Sequence, residues 1–178
     1  MSARAGPAPE LETSVVRSVT DAPLRMHGEF DFAVPPDVLW PRISEPELMA
    51  DWFPLLTGGE LDHARGAEPG RWSEGSRRTC RTRGMGTLHE TIHHWDPPNA
   101  YAYEVRNRMM PIERHLALMS ARPNGSGGTT MSWSQYFDLT GIAMRHAFPS
   151  VMVAMMNRGM DALARELGGR GGKMHRVR

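Results

Sequence analysis

LRMHGEFDFAVPPDVLWPRISEPELMADWFP, residues 24–54, contains the change of period that decides the fold. Over 24–34, Met26, Gly28, Phe30, Phe32 and Val34 alternate with Arg25, His27, Glu29 and Asp31, the two-residue period of a strand with one apolar and one wet face. Pro35 and Pro36 end that strand because neither can donate to a ladder, and Pro36 suits the first turn of a helix carrying Leu39, Trp40 and Ile43. Ser44 is placed to cap a second short helix, with Glu47 completing a capping box and Leu48 and Trp52 turned inward. Two short helices therefore cross one end of the sheet that this strand joins.

Downstream, residues 55–139 return to strand patterns. They are punctuated by Gly58-Gly59, Pro69-Gly70, Gly84 with Gly86, Asp96-Pro97-Pro98-Asn99, Pro111 and Pro123-Asn124-Gly125, spacing that suits a meander of about six antiparallel strands. A last helix is expected from near Pro149 to Gly168-Gly169, with an inner stripe of Val151 or Met152, Met155 or Met156, Gly159 or Met160, Leu163 and Leu167. Upstream, residues 1–22 show no period and read as a flexible arm; residues 169–178, glycine-rich and basic, read as a flexible tail. The folded domain is expected over 23–168.

A chain of 178 residues fits one domain. Its formal charge of +1, with 23% charged residues of mixed sign, gives no field suited to a nucleic-acid backbone, so no nucleic-acid partner is expected. A single cysteine, Cys80, excludes an internal disulfide, and the N-terminus lacks a signal peptide's apolar core, so a cytoplasmic setting is expected. No stretch approaches the roughly 18 apolar residues of a membrane span, and no integral membrane association is expected.

Several short motifs stand in a set order: Val34-Pro35-Pro36 before Val38 and Trp40, Asp51-Trp52-Phe53-Pro54, Gly75 with Arg78, Glu90-Thr91-Ile92 before Trp95-Asp96-Pro97-Pro98, Tyr101-Ala102-Tyr103, and Gly127-Gly128-Thr129 before Trp133. In these the chain resembles the START-like superfamily, also called SRPBCC, which includes the polyketide cyclase/dehydrase and lipid-transport proteins and the plant pollen allergen relatives. The resemblance covers about residues 24–168 and implies an α+β helix-grip: a curved seven-stranded antiparallel sheet around a long C-terminal helix, with two short helices after strand 1. It also implies a cavity between sheet and helix that holds lipids, sterols, hormones or polyketides, and in some relatives cyclises or dehydrates them. It carries over no universal set of reacting residues and no cofactor.

Strand parity selects the candidate residues. Leu88, Glu90, Ile92 and His94 share one face of 88–95, and the apolar pair marks it as inward; a single bulge would exchange the faces of the residues beyond it. Glu90 and His94 are then a ligand anchor or an acid/base pair, or else Glu90 is ion-paired with an arginine such as Arg78 on the neighbouring strand. Tyr101 and Tyr103, and on the last strand Trp133 and Gln135, line either a core or a cavity, with Trp52, Arg78 and the helical Met152, Met155 and Met156 completing the wall. His89 and His93 face away from His94, so no metal site is expected; His115 reads as a surface or edge histidine and Cys80 as structural. Two functions compete. One is the binding of a small hydrophobic or amphipathic ligand by a monomer or homodimer; the other is a polyketide cyclase/aromatase-type enzyme using Glu90, His94 or Tyr103 to move protons. A protein with a collapsed pocket is a third reading.

Overall fold

A computed structural model describes residues 12–141 and 144–177. Eight strands form one antiparallel sheet: β1 (Leu24–Phe32), β2 (Leu56–Asp62), β3 (Arg77–Thr82), β4 (Gly86–Asp96), β5 (Ala100–Arg106), β6 (Ile112–Pro123), β7 (Thr129–Leu139) and β8 (Gly171–Arg176). They lie in the order β2-β3-β4-β5-β6-β7-β1-β8. Strands β2 to β7 are the meander expected over 55–139. β1 closes it by pairing with β7, and it buries Met26, Gly28, Phe30 and Phe32 in strict alternation.

After a π-helical turn, Glu12–Val16, comes the short α1 (Arg17–Val19); α2 (Pro36–Ser44) and α3 (Pro46–Met49) follow β1. Pro36 occupies the first turn of α2, which buries Leu39, Trp40 and Ile43. The expected Ser44 capping box does not form. Ser44 is the last residue of α2, Pro46 opens α3, and the buried residues of α3 are Pro46 and Met49.

The long helix α4 (Met144–Leu167) begins before Pro149 and carries that proline within it. Its inner stripe settles on Met156, Met160, Leu163 and Ala164, while Val151 faces solvent. Gly159 lets the Trp52-Phe53-Pro54 segment close onto the helix, since a Cβ there would lie 3.2–3.3 Å from all three side chains. Gly168, at φ +74°, turns the chain out of the helix, and its carbonyl accepts from the Ala33 N–H at 3.0 Å.

The expected flexible tail is corrected, and so is the described part of the expected arm. Gly171–Arg176 is an eighth strand on β1, so the sheet has one strand more than the seven expected. Gly28 and Gly172 make this pairing possible: a Cβ on Gly172 would sit 1.8 Å from the Glu29 carbonyl oxygen. On the other side of β8 the Asn157 side chain accepts from the Met174 N–H (2.7 Å) and donates to its carbonyl (3.2 Å). At the other end, Val16 and Ala22 pack with Ala102, Leu116, Leu118 and Tyr136 as a small second core on the convex face. Residues 1–11 of the expected arm lie outside the described residues. Among the described residues no helix is long and apolar enough to cross a membrane.

Candidate functional site

The concave face opposite α4 carries a row of buried polar groups set among aromatic rings. Arg78 on β3 and Glu90 on β4 are cross-strand partners; the Arg78 Nε donates to Glu90 Oε2, with the side chains 1% and 6% exposed. A charge can be buried this deeply only when paired. Arg78 Nη1 donates to the Ser44 carbonyl at 2.8 Å, tying the pair to the end of α2, and touches the Met49 sulfur at 3.7 Å. The guanidinium carbon lies 4.8 Å from the Tyr103 ring centroid and 5.7 Å from that of Tyr101, two rings that stack on each other at 5.4 Å. Burial pulls the Arg78 pKa down, but Glu90 together with Tyr101, Cys80 and Tyr103 more than offsets it and holds the guanidinium above its ordinary value.

Two donors in this interior are incompletely satisfied. Arg78 Nη2 and the indole Nε1 of Trp133 make no well-formed hydrogen bond, and the acceptors their side chains face are phenol oxygens, that of Tyr101 for Arg78 and that of Tyr103 for Trp133. The hydroxyls nearby remain protonated. Burial pushes Tyr101 up to about 12, and burial, Tyr101 and Glu90 raise Tyr103 well above its ordinary value. The Tyr101 hydroxyl donates to the Ile43 carbonyl beside the Met119 sulfur. Cys80 is buried, and burial together with the Glu90 charge raises its thiol to about 12, as a structural thiol requires.

Further along the same face, His115 and Gln135 form a second, neutral polar centre. The Val105 N–H donates to His115 Nδ1 (3.0 Å), which fixes the proton on Nε2, and that N–H donates to Gln135 Oε1 (2.7 Å). Burial lowers the His115 pKa to about 4 despite the Gln135 contact. The surface or edge position expected for His115 is therefore corrected.

The structure brings Ile92, Tyr101, Tyr103, Trp133, Met156 and Trp52 into one apolar cluster, with Met152 partly buried against it. Trp52 donates its indole N–H to the Arg42 carbonyl at 2.8 Å. Met155 is only half-buried. His94 does not join Glu90. The β4–β5 register slips between Ile92 and His94, so His94 lies opposite Ala102, a residue of the convex-face core, while Trp95 comes to lie opposite Tyr101. Trp95 then packs 5.3 Å from both Trp40 and Trp72 and 5.8 Å from Tyr101, an aromatic wall that strict alternation assigns to the opposite face. His94 instead lies 3.6 Å from Glu74.

An antiparallel sheet that grips one long helix and encloses buried polar groups defines the helix-grip class, the SRPBCC or START-like superfamily. Solved structures share the fold. Truncated norcoclaurine synthase from Thalictrum flavum matches with TM-score 0.59 and 13% identity over 84% of this chain and 96% of that one. A Thermobifida fusca protein matches at 0.64 and 21% over 81% and 93%, and XoxI from Bacillus cereus at 0.62 and 18% over 79% and 94%. No sequence among the curated proteins matches. The family model "Polyketide cyclase / dehydrase and lipid transport" matches residues 23–168, and the chain belongs to that family. It is thus a ligand-binding SRPBCC domain.

Proposed function

We propose that this protein, a cytoplasmic monomer or homodimer, binds a small hydrophobic or amphipathic molecule, lipid- or polyketide-like, between the concave face and α4. The observation that carries this reading is the pair of incompletely hydrogen-bonded donors, Arg78 Nη2 and Trp133 Nε1, buried among aromatic and methionine side chains with only the Tyr101 and Tyr103 hydroxyls to face. Buried donors are otherwise nearly always satisfied, and an oxygen on a bound molecule supplies a better-placed acceptor. Apolar contact supplies affinity at about 25 cal/mol per Å², and the polar row sets orientation.

Native mass spectrometry of protein purified from its own host, followed by denaturing extraction, tests the reading. A near-stoichiometric small molecule is expected, and Met156→Trp should abolish its retention without unfolding the chain. Retention undiminished in that variant would remove the sheet–helix interior from the site. A cyclase-type enzyme is the second reading, favoured by a Tyr103 hydroxyl held protonated near the Glu90 charge. For it, Glu90→Gln should keep binding and lose turnover.

A further inference from the structure

The β5–β6 ladder stops short. Its register runs from Ala100–Ser120 to Tyr103–Ala117, yet β5 continues to Arg106 and β6 starts at Ile112. Between these free ends lies a slot of about 1230 Å³. Ordinary small-molecule sites occupy roughly 300–1,000 Å³, so the slot has room for one.

Three features hold it open. Arg114 adopts a left-handed backbone at φ +51°, and the β6–β7 register slips between Glu113 and Leu116, which turns the start of β6 away from β5. The Arg114 carbonyl accepts from Thr20 Oγ1 at 2.9 Å and its side chain pairs with Asp21 and Asp138, so this lip is fastened to the α1 segment and β7. His115 takes the place of the missing ladder bonds through Val105 and closes the back of the slot, its other side facing the Tyr103 and Phe137 rings.

The lining combines apolar side chains with charged ones, in which arginines outnumber carboxylates. Met85, Val105, Met109 and Ile112 form the apolar part, with Met109 66% exposed. At the rim, Arg106 is paired with Glu104, and Arg114 with Asp21 and Asp138. Arg17, whose Nη1 donates to the Ala22 carbonyl at 3.4 Å, and Arg108 also line the slot, and neither has an ion-pair partner among the described residues. Glu113, the remaining carboxylate of the lining, disfavours a second acidic group on the occupant.

We propose that the slot binds an amphipathic organic anion, its single acidic group on Arg17 and Arg108 and its apolar part against Met85, Val105, Met109 and Ile112. It is a site separate from the sheet–helix interior, with His115 as the wall between them.

Dodecanoate titrated onto the full chain, followed by calorimetry and methionine-methyl NMR, tests this. Saturable binding is expected to shift the Met85 and Met109 methyls. Arg17→Ala/Arg108→Ala should weaken it about tenfold, the summed effect of two exposed charges, and uncharged dodecanol should bind about as weakly to the unaltered protein. Met156→Trp should leave it unchanged, which separates this site from the interior one. Absence of saturable binding, affinity undiminished in the double variant, or shifts at Met156 and Met160 in place of Met85 and Met109 would each overturn the proposal.

Discussion

The concave face buries two polar centres and stabilises them in opposite ways. Arg78 and Glu90 remain charged and cancel each other, yet the two N–H groups of Arg78 Nη2 make no well-formed hydrogen bond. His115 and Gln135 are neutral, and both histidine nitrogens are hydrogen-bonded. In the second centre both ring nitrogens are engaged, which holds a backbone in place and leaves only the Gln135 amide N–H groups for a ligand. A centre with a spare donor is less stable when empty and gains when an oxygen arrives. Under the proposed function, this contrast gives Arg78–Glu90 the larger part in recognition and His115–Gln135 the larger part in architecture.

The largest expected effect comes from breaking the charged centre on one side. Glu90→Ala leaves a buried guanidinium unpaired and should cost about 3–5 kcal/mol, read from urea unfolding. The double replacement Arg78→Met/Glu90→Leu sharpens the contrast, because an apolar pair of similar volume should restore most of that stability while ligand binding stays lost. Recovery of binding along with stability would make the pair architectural.

The neutral centre answers to pH. Its native pKa of about 4 lies below the ordinary 6.5, so in that window the unfolded chain binds the extra proton and acid favours unfolding. Stability present at pH 7 should therefore fall by about 3 kcal/mol on acidification through pH 6.5 to 4, relative to a His115→Gln variant measured in parallel. Equal pH profiles for the two proteins would show that His115 is not held neutral. The smallest expected effect lies on the convex face, where Arg122 and Glu29 pair at 2.9 Å in partial contact with water. Glu29→Gln should cost no more than about 1 kcal/mol in the same unfolding measurement.

Periodicity in the sequence carried most of the fold. The alternation in 24–32, the proline pair, six strand segments and the methionine stripe of α4 each follow from which residues can share a face. The Arg78–Glu90 pairing was also legible, as the alternative to a free Glu90. What escaped were features that neighbours impose. β8 has a glycine-rich sequence suited to a loose tail, and it becomes a strand because Gly28 and Gly172 let two backbones meet. The bulge after Ile92 exchanges the faces of His94 and Trp95 with no local signal beyond the crowding of histidines. Burial of His115 depends on the left-handed Arg114, a conformation that arginine does not advertise.

The Asn157 contact with Met174 has a consequence for self-association. Its side-chain amide offers β8 one donor and one acceptor, as a peptide group of an adjoining strand does. A second copy attempting to extend the sheet at β8 would first have to displace that mimic, so α4 shields this margin from strand addition and from amyloid-like templating. At the opposite margin, β2 presents Asp62 and the Glu60–Arg81 ion pair, hydrated charges that disfavour the same kind of contact because pairing would strip their water. The two borders of the sheet are thus guarded differently, one by imitation and one by charge.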